Sequence, residues 1–115
     1  MSPSEIFKLE IERCLPLLSE DEWALANARD DLIEKLEPYE AFAAISGILA
    51  LANEQQDEYA FSSCCWLALQ MAGKANTTEI PEKLPEVLAK LSEHAKGFGD
   101  LGLDEIEKVR NWFRL

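Results

Sequence analysis

The apolar residues of this chain recur three and four positions apart over most of its length, which is the spacing of amphipathic helices. Signals for strands are nearly absent, because β-branched residues are sparse and no stretch alternates apolar and polar positions. We therefore predict an all-α fold. The expected helices cover about residues 4–18, 19–36, 38–52, 57–73, 85–96 and 104–113.

The boundaries of these helices are predicted from capping residues. Ser19 is followed three residues later by a glutamate, which is the spacing of a capping box, so the second helix is expected to begin there. Pro38 suits the first turn of the third helix, where its missing N–H is no loss. Gly73 is expected to cap the end of the fourth helix. The segment Gly97–Gly102 is expected to form a turn, with Asp104 capping the last helix.

The third and fourth helices are expected to form the core. Both are apolar around most of their circumference, since large residues such as Phe42 and Trp66 are interleaved with Ala, Ser and Gly. Small residues let two helix backbones approach closely, so this pair is expected to pack antiparallel across the polar turn Asn53–Gln56. No convincing repeat is present. A single-domain bundle of about six helices over residues 1–115 and a HEAT-like stack of antiparallel pairs are both compatible with the pattern.

Charge is distributed unevenly along the chain. There are 22 acidic and 11 basic residues, giving a formal net charge of −11. Residues 1–40 hold 11 of the acidic and 4 of the basic residues, so −7 of that charge lies in the first third. Nucleic acids and anionic membranes are polyanions that proteins bind through clusters of Lys and Arg, and this chain has no such cluster. We therefore expect neither a nucleic-acid partner nor a membrane partner.

Part of the acidic excess follows one stripe of the second predicted helix, defined by spacings of three and four residues. The stripe and its neighbours are the candidate partner-binding residues: Trp23, Asn27, Asp30, Asp31, Glu34, Glu37, Tyr39 and Glu40. Lys35 is spaced to pair with Asp31, and nothing in the sequence neutralises the stripe itself. An aromatic residue beside several carboxylates offers an anchor and electrostatic steering toward a basic protein. The alternative is a solvated face that only keeps an acidic protein soluble.

No grouping of residues predicts catalysis, a metal site or a cofactor site, so we do not expect an enzyme. The single histidine, His94, has no nucleophile or orienting carboxylate on its own helix face. Cys14, Cys64 and Cys65 lack disulfide spacing and are expected to be reduced and buried, as in a cytoplasmic protein. The N-terminus lacks a secretory signal, and the apolar stretch Ala41–Ala52 is too short to span a bilayer. The alternative is an enzyme or small-ligand binder with a pocket near Cys64, Cys65 and His94.

Two features suggest a known family: the carboxylates that follow Trp23 and the compact Phe42–Met71 hairpin. Those carboxylates belong to Asp30, Asp31, Glu34 and Glu37. In these features, its size and its acidity, the chain resembles the small cytoplasmic immunity proteins of bacterial toxin–immunity systems. The resemblance implies a protein that caps a basic toxin domain and blocks its active site. We expect a monomer or a small homo-oligomer. The alternative is a helical adaptor or regulatory subunit that binds through an apolar groove.

Overall fold

The computed structural model describes residues 1–115, and every regular element is helical, which confirms the all-α prediction. The α-helices are α1 (Pro3–Cys14), α2 (Ala24–Lys35), α3 (Pro38–Ala52), α4 (Glu58–Ala75), α5 (Leu84–Ala95) and α6 (Gly99–Phe113). Short 3₁₀ turns extend α1 over Leu15–Leu17 and join α5 to α6 over Lys96–Phe98. Because α5 and α6 follow one another without a break, the chain has five continuous helical segments rather than the six expected.

The helices form two layers. One layer contains α1, α3 and α5, and the other contains α2, α4 and α6, with contacts between successive helices of each layer. Contacts between the layers join α1 to α2, α3 to α4 and α5 to α6. The molecule measures 38 × 33 × 20 Å. Its shortest dimension matches two stacked helices, each about 10 Å across.

The α3–α4 pair lies at the centre, as predicted, and makes the most extensive contact of any two helices. The short connection between Ala52 and Glu58 makes them antiparallel. Their largest fully buried side chains are Ile45, Ile48, Leu49, Phe61, Leu67 and Met71. Burying each such side chain stabilises the fold by roughly 1.5–3 kcal/mol. None of the helices combines the length and the apolar character needed to cross a membrane.

The second helix begins at Ala24 rather than at Ser19, so the predicted capping box is wrong. The backbone N–H groups of Glu20 and Asp21 donate to the Leu17 carbonyl, which continues the turn that follows α1. The carboxylate of Asp21 accepts the Trp23 N–H at 3.1 Å. Asp21 therefore stabilises the turn that leads into α2, and Trp23 lies at the N-terminal end of that helix.

The fourth helix continues past Gly73, which does not cap it. It ends at Ala75 because Asn76 adopts a left-handed conformation with a φ of 54°. Asn tolerates this conformation better than most other residues with a side chain. Pro38 does occupy the start of α3, as predicted.

The last helix begins at Gly99, so the predicted cap at Asp104 is wrong. The predicted turn over Gly97–Gly102 is confirmed only at its start, where the 3₁₀ turn Lys96–Phe98 and the positive φ of Gly99, 65°, separate α5 from α6. Gly102 lies inside α6 and packs against the end of α5. A Cβ atom at this position would lie 2.1 Å from the Ala95 carbonyl oxygen. The glycine therefore permits a close contact between two helices rather than a turn.

Candidate protein-binding surface

The outward face of α2 carries most of the predicted acidic stripe. The helical repeat explains this placement, because Leu25 and Leu32, two turns apart, fill the opposite face and are buried. We call the exposed residues the acidic face; they are Trp23, Asn27, Asp30, Asp31 and Glu34. The structure thus brings five of the eight predicted residues to one helix.

None of the carboxylates of the acidic face forms an ion pair. The ion pairs of the molecule join Lys8 to Glu54, Arg13 to Glu10, Lys96 to Glu93 and Lys108 to Glu105. The expected pair between Asp31 and Lys35 is not among them. Asp30 accepts one hydrogen bond, from Gln70 Nε2 of α4 at 3.4 Å. The carboxylates of the acidic face therefore lie outside any ion pair, and Arg29 interacts with Asp30 only at longer range.

The other three predicted residues lie beyond α2, at the start of α3. The backbone N–H of Glu37 donates to Glu40 Oε1 at 2.9 Å, which is one half of a capping box. The Glu40 carboxylate is thus engaged in stabilising the N-terminus of α3. Tyr39 is 74% exposed, and Glu37 is also exposed. In the other half of the capping box the Glu37 side chain accepts from the backbone N–H of Glu40, so both carboxylates have a structural role.

A cleft of about 370 Å³ separates α1 from α2 beside the acidic face. Asn27 and Asp31 line its α2 side, and Glu10 and Arg13 line its α1 side. Arg13 donates to Glu10 at 2.6 Å, and this bond raises the pKa of its guanidinium. No group of three or more His, Cys, Asp and Glu side chains is arranged to hold a metal ion. The cleft therefore contains both acidic and basic side chains.

Sequence reasoning missed a row of exposed aromatic side chains across the layer of α2, α4 and α6. We call this row the aromatic band; its members are Trp23, Tyr59, Trp66 and Trp112. Tyr59 is 40% exposed and Trp66 is 47% exposed, so the prediction that α4 is buried around most of its circumference is wrong on this face. The seven-residue spacing of Tyr59 and Trp66 equals about two helical turns and was the available signal.

Shallow grooves lie on both sides of Trp66. The first, about 240 Å³, lies between α2 and α4 and is bounded by Trp23 and Tyr59. The second, about 520 Å³, lies between α4 and α6, and its wall includes Leu69 and Trp112. The band adjoins the acidic face at two points. Trp23 belongs to both surfaces, and Gln70 lines the second groove while donating to Asp30.

Two contacts hold Trp66 and Trp112 of the band in place. The Arg29 guanidinium lies 5.8 Å from the centroid of the Trp66 ring, within range of a cation–π interaction. Partial burial lowers the pKa of Arg29, because desolvation disfavours its charged form. The Trp112 Nε1–H donates to the Thr77 carbonyl at 3.2 Å. Both rings are therefore exposed and positioned at the same time.

The three cysteines are buried, and His94 is partly buried and bound to the backbone of another element. All three cysteines are free and buried, and burial raises the pKa of the Cys64 and Cys65 thiols, the latter to about 12. The His94 Nε2–H donates to the Gln55 carbonyl at 2.6 Å, and its ring packs edge-on against Phe98 at 5.4 Å. His94 therefore fastens α5 to the turn between α3 and α4.

Comparison of the chain with protein-family models, with curated proteins and with solved structures gives no match in any of the three. The resemblance to immunity proteins therefore stays a prediction. A function for this chain has to be inferred from the acidic face and the aromatic band themselves.

Proposed function

We propose that this protein is an acidic binding protein that neutralises a basic protein partner by occlusion, most specifically an immunity protein against a bacterial toxin. The observation that carries the proposal is the acidic face. Asp30, Asp31 and Glu34 are exposed there, and none is paired with Lys or Arg. Exposed carboxylates that are not held in an ion pair can bind the cations of a partner.

Such a face acts on a basic partner in two ways. Its summed negative potential steers the partner during diffusion and raises the association rate. Once bound, Asp30 and Glu34, whose Cβ atoms lie about 5–6 Å apart at adjacent turns of the helix, present a row of negative charge. A toxin that cleaves nucleic acid needs a cationic substrate channel. An acidic helix seated in that channel excludes the substrate without any chemistry of its own.

The proposal also includes a scaffold and a location. We infer that the three helix pairs form a short HEAT-like stack, in which each pair packs mainly on the next. The succession of contacts α1–α3–α5 and α2–α4–α6 supports this inference. A stack of this kind presents the acidic face on a rigid element. The proposed site of action is the cytoplasm, where thiols such as the three free cysteines stay reduced.

Co-expression with the product of the adjacent upstream gene tests the proposal. That product is expected to arrest growth when expressed alone, and this chain is expected to restore growth. The double variant Asp30→Asn, Glu34→Gln is expected to protect less, because it removes two unpaired charges from the acidic face. The immunity proposal fails if the gene product is not toxic or if this chain does not restore growth.

A matched control removes the same charge elsewhere. Glu12 of α1 and Glu107 of α6 are exposed and unpaired, so the double variant Glu12→Gln, Glu107→Gln is expected to protect as well as the unmodified chain. Equal loss in both double variants would show that only net charge matters. Binding to the partner that hardly changes between low and high salt would instead favour the helical adaptor.

A further inference from the structure

The aromatic band has the properties of an anchoring surface rather than of ordinary exposed residues. Trp23 is 64% exposed and Trp112 is 37% exposed, and with Tyr59 and Trp66 they lie on consecutive helices of one layer. Single exposed apolar side chains are common, but a continuous row marks an interaction site. Trp66 and Trp112 are already held by Arg29 and Thr77. Ordering rings that are already positioned costs a partner little entropy.

The shape of the band fits an elongated apolar ligand. The grooves on the two sides of Trp66 share this residue as a common wall and run between neighbouring helices. Leu69 adds an aliphatic wall to the larger groove, between Trp66 and Trp112. Grooves between helices receive the apolar side of an amphipathic helix, whose anchors are spaced at three, four and seven residues.

The charges beside the aromatic band determine which kind of ligand it can bind. Asp21 and Glu22 precede Trp23, and Asp57 and Glu58 precede Tyr59, so both aromatic residues stand beside acidic pairs. None of these four carboxylates forms an ion pair. A second copy of this chain would bring the same acidic borders together, and like charges at a contact disfavour association.

Two cations, Lys108 and Arg29, lie beside the band, but they do not make it favourable for an acidic ligand. Lys108 lies 3.5 Å from the carboxylate of Glu105, which compensates its charge. Arg29 lies over Trp66 and is followed in the chain by Asp30, whose carboxylate is exposed. The ligand that this surface favours is therefore apolar on one side and positively charged on its flanks.

We propose that the aromatic band is the docking site for a basic amphipathic helix of the partner protein. The apolar side of that helix contacts Trp66, Leu69 and Trp112, and its Lys and Arg side chains reach the acidic face. The inference rests on the proposed function, because it takes the partner to be basic. It adds that the apolar contacts around Trp66, and not only the carboxylates, supply the affinity.

The test uses a defined probe and the full chain. The probe is a labelled helical peptide of about 18 residues, roughly five turns, with leucines along one side and lysines elsewhere. Fluorescence anisotropy is expected to show binding to the unmodified chain. Trp66→Ala is expected to weaken binding at least about tenfold, as loss of a central anchor does. Leu9→Ala, which removes a large apolar side chain of similar exposure on α1, outside the band and the acidic face, is expected to leave the affinity unchanged.

Two further peptides separate this inference from the proposed function. A scrambled peptide of the same composition keeps the charge and loses the apolar side, and a peptide with glutamates in place of lysines keeps only the apolar side. Both are expected to bind at least about tenfold more weakly than the probe. Equal binding of the scrambled peptide, or an unchanged affinity of Trp66→Ala, would overturn the docking site while leaving the acidic-face proposal standing. Absence of any binding by the probe would also overturn it, whereas the proposed function is decided by the growth assay.

Discussion

Single residues show how the surroundings of a side chain decide its role. Asp30 and Glu40 both belong to the predicted acidic set, yet Glu40 caps α3 while Asp30 stays exposed on α2. Lys74, near the end of α4, donates to the Ile33 carbonyl and so ties α4 to the end of α2. Residue type alone does not distinguish these roles, because each depends on which backbone group lies within reach.

The buried thiols give a prediction at the residue scale. Because burial raises the pKa of the Cys64 thiol and raises that of Cys65 to about 12, both groups stay protonated at pH 8 to 9 in the folded protein. The folded protein is therefore expected to resist thiol-labelling reagents at pH 8, and the denatured protein to react at all three cysteines. Reaction rates measured with and without denaturant check this. Rapid labelling of the folded chain would contradict it and would point to a reactive site near these residues.

The helices show the same dependence on context at the scale of elements. The periodicity of α4 places Phe61, Leu67 and Met71 in the core, but its outer side carries Tyr59 and Trp66. A helix with large apolar residues on every side looks fully buried in sequence. The neighbouring helices α2 and α6 cover only part of α4, and the uncovered part carries Tyr59 and Trp66, the middle of the aromatic band.

Two glycines give a prediction about helix packing. Gly102→Ala is expected to destabilise the protein by about 3 kcal/mol, because the new Cβ would meet the Ala95 carbonyl oxygen and backbone cannot move aside easily. Gly73→Ala is the matched control. It lies in α4 with open space around the added Cβ, so it is expected to stabilise the protein by about 0.5–1 kcal/mol. Denaturant unfolding measures both changes, and a harmless Gly102→Ala would contradict the close contact of α5 with α6.

At the scale of the whole molecule, the net charge of −11 is only partly compensated within the fold. Four ion pairs involve 8 of the 33 charged residues. Like charges on a compact molecule repel one another and lower its stability. The same charge repels other acidic surfaces. Stability and partner choice thus depend on one property of the whole molecule.

The net charge of −11 predicts that the stability of the protein responds to salt. Raising sodium chloride from about 20 mM to about 500 mM shortens the range of charge repulsion to a few ångströms. The melting temperature is expected to rise by about 5 °C, which corresponds to about 1 kcal/mol in a domain of this size. The double variant Asp30→Asn, Glu34→Gln carries less charge and is expected to show a smaller rise. A melting temperature independent of salt would show that the carboxylates are too far apart to repel.

The sequence by itself determined the helical class, the central α3–α4 pair and the exposure of the carboxylates on α2. These properties depend on periodicity and composition, which are local and can be read along the chain. Only the tertiary structure decided that Gly102 serves a contact between α5 and α6 and that Trp66 lies between two grooves. Both properties depend on how separate helices pack against one another. The aromatic band follows from the same cause, since four residues from three regions of the chain become neighbours only when α2, α4 and α6 pack side by side.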